Sequence, residues 1–145
     1  MDKVRIRRLQ KEDADEISRI YAAITMKPVS KDFIRVIEEH ASKENDACFV
    51  AERQGKVMGF MISYILTAGF GMPNSAWIAT LGVDPNFMGQ GIGASLAREI
   101  FKYYKDKGIE NVYTSVRWDS TDMLSFFKTL GFDRSNFINL RKTID

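Results

Sequence analysis

Residues 83–94 read Val-Asp-Pro-Asn-Phe-Met-Gly-Gln-Gly-Ile-Gly-Ala and lead into a segment with helical apolar spacing. Glycine lets a backbone approach a ligand with no Cβ in the way. The first N–H groups of a helix lack partners and point outward at the positive end of its dipole. A glycine-rich turn that opens a helix is therefore a site for a phosphate or pyrophosphate. The spacing narrows the kind. No Lys-Ser/Thr pair follows the glycines, as a loop that holds a β/γ-phosphate and Mg²⁺ would need, and Gly89, Gly91 and Gly93 do not fall in the Gly-x-Gly-x-x-Gly register.

Other chemistry is scarce. Cys48 is the single cysteine, so an internal disulfide is impossible, and no Cys/His spacing matches a metal site. Cys48 lies in an apolar run and reads as a small core residue rather than a nucleophile. His40, the single histidine, falls at the polar end of a helix and has no Ser or Cys partner in a recognisable catalytic spacing, which argues against a Ser-His-Asp triad. Lysine and arginine number 21 against 19 aspartate and glutamate, interspersed, so no electrostatic footprint calls for nucleic acid or a membrane surface. The N-terminus lacks the apolar core of a signal peptide, and no apolar run is long enough to cross a bilayer. A cytoplasmic protein of one domain, 1–145, is expected.

The elements that must position the glycine turn follow from periodicity. Val4-Arg5-Ile6-Arg7-Arg8-Leu9 alternates as a first strand, with Lys3, Arg5, Arg7 and Arg8 expected on its solvent face. Asp13, with Glu16 three residues on, should cap a helix whose stripe is Ile17, Ile20, Tyr21 and Ile24. Ser30 opens a second helix with Phe33, Val36, Ile37 and Ala41 inward. Residues 47–53 and 56–66 are strands joined by the hairpin turn Gln54-Gly55, the second apolar on both faces and therefore central. Residues 67–75, rich in glycine, form a long loop. Trp77, Ala79, Leu81 and Val83 alternate as one face of the next strand. After the glycine turn, Ile92, Leu96, Ile100 and Tyr103/Tyr104 stripe a helix that stops at Gly108. Residues 111–118 read as a strand, Met123, Phe127 and Leu130 as a last helix closed by Gly131, and 136–144 as a final alternating strand. The order β-α-α-β-β-β-α-β-α-β implies an α/β protein with a mixed sheet and helices on both faces.

That order, with Met88-Gly89-Gln90-Gly91-Ile92-Gly93, resembles the GNAT family of acetyl-CoA-dependent N-acetyltransferases, whose loop pattern is Arg/Gln-x-x-Gly-x-Gly/Ala. Met88 stands where Arg or Gln is usual. The ending Phe126-Phe127-Lys128-Thr129-Leu130-Gly131-Phe132 resembles the family's aromatic-Tyr-x-Lys-Leu-Gly-Phe motif. The resemblance implies acetyl-CoA as acetyl donor, without a metal. It places the pyrophosphate on the amides of Met88, Gly89, Gln90, Gly91, Ile92, Gly93 and Ala94, and the pantetheine arm along the backbone of Leu81, Gly82 and Val83. Gly82 would then admit the thioester. Monomer or homodimer are both compatible with the family, the latter through the last strand.

The resemblance also implies direct attack of a neutral amine on the thioester. The family's usual acid, a tyrosine, is replaced by Phe127, and residues 77–83 contain no carboxylate to act as base. Ser120 aligns with the family's cofactor-contacting Asn and is the candidate hydroxyl near the sulfur, with a helix-capping role as the structural alternative. Tyr113 and Ser115 are further hydroxyls on the preceding strand. An amine of pKa about 10.4 is neutral in about 0.04 % of molecules at pH 7, against about 10 % for an α-amine of pKa near 8, so a peptide α-amine or small-molecule amine is favoured as acceptor. Two other readings remain open at this level: an acetyl-CoA-binding module without catalysis, and an interaction domain whose glycines serve only turns.

Overall fold

The computed structural model describes residues 3–43, 46–67 and 73–145. Five strands, β1 (Arg5–Arg8), β2 (Cys48–Arg53), β3 (Lys56–Leu66), β4 (Ser75–Val83) and β5 (Val112–Thr114), form one sheet in sequence order. The β1–β2, β2–β3 and β3–β4 pairs are antiparallel and β4–β5 is parallel. Helices α1 (Ala14–Thr25) and α2 (Lys31–Ala41) precede β2, α3 (Ile92–Asp106) crosses from β4 to β5, and α4 (Thr121–Thr129) follows β5.

Two clusters cover the two faces. Ile17, Ile20 and Ile37 of α1 and α2 bury Cys48, Val50, Val57, Phe60 and Ile62 of β2 and β3 on one face. Leu96, Ile100 and Tyr104 of α3, with Phe127 of α4, bury Phe49, Met58, Met61, Ala76 and Ile78 on the other. Buried on both faces, β3 is the central strand its composition predicts. The Gln54-Gly55 turn has φ of +54° and +76°, the left-handed pair that a two-residue hairpin between Arg53 and Lys56 needs.

Several expectations are corrected. Residues 136–144 form no strand. Asn139 makes a 3.5 Å bond to the Ser115 hydroxyl just past β5, Phe137 meets Tyr113 of β5 edge-on, and Ile138, Leu140 and Ile144 remain exposed. Alternation becomes a strand only where a neighbouring ladder accepts it, and β5, three residues long, offers little. Arg7 does not face solvent; its guanidinium makes two 2.8 Å bonds to Asp13 and one of 2.9 Å to Glu52. Asp13 thereby serves Arg7 and the Gln10 amide instead of capping α1, and Glu16 accepts from the Val57 amide at 3.0 Å. Ser30 does cap α2, accepting from Phe33 N–H, although Val36 lies exposed. Cys48 is buried, as its apolar run predicts. The 67–75 loop lies in part outside the described residues.

Candidate functional site

The parallel ladder of β4 and β5 runs only from Ala76↔Val112 to Ile78↔Thr114. There the Thr114 hydroxyl donates to the Ile78 carbonyl at 3.0 Å, closing the last rung. β5 ends, while β4 continues to Val83 with β3 on one edge and no ladder partner among the described residues on the other. A notch thus opens between β4 and the segment that follows β5.

A bulge sits at its apex. Ile78 pairs with Ser63 and Thr80 with Ile62, so Ala79 is an extra residue. The side-chain alternation flips there. Ala76 and Ile78 before the bulge, and Leu81 and Val83 after it, all reach the cluster under α3 and α4. Trp77 is therefore on the opposite face from Leu81 and Val83, which corrects the single face read from the sequence. Gly82 points toward α1. A Cβ there would lie 2.8 Å from Ile24 Cδ1 and 2.9 Å from Phe60 Cε1. The close packing of α1 over β4 accounts for glycine at this position.

From the notch β4 leads into the glycine turn, whose entry is fixed by Asp84. Its backbone N–H donates to the Met58 carbonyl at 2.8 Å, and its buried carboxylate accepts from the Asn86 amide at 3.0 Å and faces Arg19 of α1 at 3.6 Å. Pro85 starts a short 3₁₀ turn, Pro85–Phe87. Gly89 and Gly91 then adopt φ of +83° and +77°, a left-handed conformation that disfavours any side chain, and a Cβ at either would meet nothing within 4 Å. Their bare backbone faces open space, as a cradle for a bulky anion requires.

Helix α3 begins directly after Gly91. Its first internal bond is Ser95 N–H to Gly91 O at 3.0 Å, so the amides of Ile92, Gly93 and Ala94 precede it at the positive end of the dipole. No acidic residue occupies that first turn. The guanidinium of Arg53 and the ammonium of Lys56 lie over the Phe87 ring at 5.5 and 5.4 Å, which brings two hairpin cations to the turn. Sequence reasoning missed both, because the hairpin is far from the loop in the chain. Met88 is exposed and extended, ahead of the glycines. These residues fit a pyrophosphate. Gly93 has a different task, since a Cβ there would lie 3.1 Å from the Phe126 ring of α4.

On the β5 side, Ser120 occupies the N-cap position of α4 but its side chain makes no cap bond, so the capping role expected as its alternative is not realised. Its backbone joins Arg117 and Leu124 at 3.0 Å each. The preceding Arg117 and Asp119 form a bidentate exposed pair at 2.9 Å that holds the Asp119 carboxyl below its usual range. Phe127 is buried, with its ring 5.0 Å from Phe132 and 5.2 Å from Phe126. It is a core residue. Among the described residues no His/Cys/Asp/Glu group could hold a metal ion. His40 lies 3.4 Å from Asp46, away from the turn, and the Cys48 thiol donates to the Ser63 carbonyl at 3.3 Å, with burial pushing its pKa up to about 11. A thiol so held is a poor nucleophile at neutral pH.

The family profile described as "Acetyltransferase (GNAT) family" matches residues 14–132, from the start of α1 to the aromatic residue after α4. The chain belongs to the GNAT acetyltransferase family. Among relatives of this GNAT chain, a mycothiol acetyltransferase of Amycolatopsis mediterranei is 29 % identical over 131 residues, 85 % of this chain and 44 % of the relative. The N-alpha-acetyltransferase RimI of Mycobacterium tuberculosis is 35 % identical over 98 residues, 66 % of this chain and 57 % of RimI. The chain thus spans about half the length of these curated relatives, or less. The fold matches an aminoglycoside N-acetyltransferase, AAC(6')-Iy, in complex with CoA (TM-score 0.83, 16 % identity, 99 % of this chain and 96 % of that one). It also matches an aminoglycoside acetyltransferase from an uncultured soil metagenomic sample in complex with sisomicin (0.81, 25 %, 98 % and 97 %). Notch, glycine turn and helix N-terminus are thus set within a GNAT fold. No helix among the described residues is long and apolar enough to cross a membrane.

Proposed function

We propose that this chain is an N-acetyltransferase that moves the acetyl group of acetyl-CoA to a primary amine, with a peptide α-amine favoured. The observation that carries the reading is the continuity of three features: an open edge of β4 at residues 79–83, a glycine turn with two left-handed residues, and the amides that open α3 ahead of its first internal bond. A ligand with an extended amide-bearing arm and a pyrophosphate has complementary groups in that order. In this reading the amides of residues 88–94 hold the pyrophosphate, aided by Arg53 and Lys56, and the backbone of Leu81, Gly82 and Val83 holds the arm. Bound acetyl-CoA supplies an activated acyl carbon to a nucleophilic amine.

The chain's own groups shape the acceptor. β4 carries no carboxylate between Ser75 and Val83, so proton removal rests on the amine's own pKa or on water. This favours an α-amine, neutral in about 10 % of molecules at pH 7, over a lysine-like amine at about 0.04 %. The Ser120 hydroxyl, free of capping duty, is the side chain assigned to protonation or positioning at the sulfur. Phe127 cannot serve, having no exchangeable proton and lying in the core.

Release of free CoA thiol from acetyl-CoA, measured against peptides with free N-termini, polyamines, aminoglycosides and lysine side chains, tests the reading. Amine-dependent release led by the peptides is the expected result. Acetyl-CoA binding without release by any amine would move the assignment to a non-catalytic binding module. A folded Gly91→Val protein with unaltered acetyl-CoA affinity would remove the pyrophosphate from this turn.

A further inference from the structure

One row of aromatic side chains crosses the sheet at the closed end of the notch. Tyr64 of β3 pairs with Trp77 of β4, and Trp77 pairs with Tyr113 of β5. The Trp77 and Tyr113 rings stack at 5.0 Å with 23° between their planes, and Phe137 meets Tyr113 edge-on at 6.3 Å. Trp77 and Tyr113 belong to the register one residue before the apex pair Ile78↔Thr114. Tyr64, Trp77 and Tyr113 are half-buried, and Phe137 is 46 % exposed.

The row lies on the face that α1 and α2 shield only in part. Their cluster takes its sheet residues from β2 and β3 and none from β4 or β5. On the opposite face the notch is closed, because Leu81, Val83, Val116, Met123 and Phe126 pack into the α3/α4 core. An acceptor must therefore reach the notch from the α1/α2 face, and the first surface it meets beside the apex is the row.

We propose that Tyr64, Trp77, Tyr113 and Phe137 form the acceptor wall of this site, and that the acceptor is a peptide whose first side chain is apolar, laid on that wall with its α-amine at the notch. The inference rests on the acetyl-transfer reading above. The rings stand side by side as a strip, so what they offer is apolar area to be taken from water together with a matching side chain. The Trp77 indole N–H already donates to the Ser75 hydroxyl at 3.2 Å, so the widest ring of the row presents apolar surface, and the Tyr64 and Tyr113 hydroxyls are the polar groups of the strip. The row carries no carboxylate to receive a polycation. Asp46, in the cavity beside the row, is buried against His40, accepts from the Ile65 amide at 3.3 Å and shares that cavity with Lys43. That open cavity, about 710 Å³ and lined also by Tyr64, Thr67 and Asn74, begins where the row ends at β3 and has polar groups for the backbone of the residues that follow.

The test uses short peptides that differ only in the first residue, Leu or Phe against Asp or Lys, with a polyamine for comparison. Three quantities are read: the peptide's KM in acetyl transfer, its Kd by calorimetry without acetyl-CoA, and the Kd of acetyl-CoA. Expected is a preference for Leu and Phe of about tenfold or more, which Trp77→Ala abolishes by raising KM and Kd alike while acetyl-CoA binding stays the same. Phe137→Ala, at the exposed end of the row, provides a milder change with little folding risk, and Trp77→Phe should restore most of the preference. Equal affinity for all first residues, or tighter binding of the polyamine, overturns the proposal. So does a dimer that Phe137→Ala dissociates with peptide affinity unchanged, because a second copy would then be the occupant. If no amine releases thiol, the transfer reading fails, yet the calorimetric preference still decides the wall.

Discussion

A methyl group built on Gly93 would lie 3.1 Å from both Cε1 and Cζ of Phe126, so the first turn of α3 and the middle of α4 meet through a missing side chain. Gly91, two residues earlier, has open space around it but a φ of +77°. Two glycines of one motif are therefore required for different reasons. Gly93→Ala should destabilise the protein by about 1–3 kcal/mol through overpacking, and Phe126→Leu in the same chain should recover part of the loss. Gly91→Ala should cost about 1–2 kcal/mol through backbone strain, with no recovery from Phe126→Leu. Urea unfolding of the four variants separates these. Equal recovery in both backgrounds would show that the Phe126 contact is not specific to Gly93.

Phe127→Tyr recreates the residue that the family motif carries at this position. In this chain the ring is buried between Phe126 and Phe132, so an added hydroxyl enters apolar surroundings. The substitution should lower stability by about 1–3 kcal/mol and leave the rate of acetyl transfer unchanged. Thermal unfolding and thiol release read the two effects. Unchanged stability with faster turnover would mean that the para position reaches the notch.

What could be read from the sequence was local. The glycine turn, the Gln54-Gly55 hairpin and the Ser30 cap each depend on a few adjacent residues and appear where their spacing puts them. The bulge at Ala79 does not, because Trp77, Ala79, Leu81 and Val83 alternate perfectly in sequence and only the pairing with Ile62 and Ser63 reveals the extra residue. The aromatic row depends on that shift. Likewise Arg7 looked solvent-facing beside three other basic residues, and its carboxylate partners come from 6 and 45 positions away. Residues 136–144 show the reverse case, a sound alternating pattern without a ladder to join.

Stability should fall at alkaline pH for a traceable reason. Burial raises the Cys48 thiol from 9.0 to about 11 and the Tyr104 hydroxyl from 10.0 to about 12. Tyr104 also bonds the Ser63 hydroxyl at 2.7 Å and the Ala47 amide at 3.0 Å, and Ser63 in turn donates to the Ala47 carbonyl. Each group keeps its proton longer in the folded chain than in the unfolded one. The unfolded state is thus favoured progressively as pH rises from about 9 to about 12, and the stability present below pH 9 is lost across that window. Urea unfolding from pH 7 to pH 11 should show the decline, with a shallower slope in Cys48→Ala and Tyr104→Phe. Identical slopes in all three proteins would exclude these groups as the cause.

Arg7 joins the start of α1 to the β1–β2 ladder. Its guanidinium satisfies both oxygens of Asp13 and one of Glu52, and all three side chains are less than 20 % exposed, at 17 %, 7 % and 15 %. Removing one partner from such a set leaves a desolvated charge behind, which is more harmful than removing the whole set. Arg7→Met should therefore destabilise the protein by about 3 kcal/mol, whereas Arg7→Met combined with Asp13→Asn should destabilise it less than the sum of the two single changes. A double-mutant cycle by urea unfolding measures the difference. Strict additivity would mean that the Arg7 and Asp13 side chains act independently, and the stability of this corner would then rest on the apolar contacts of Ile6 and Leu9.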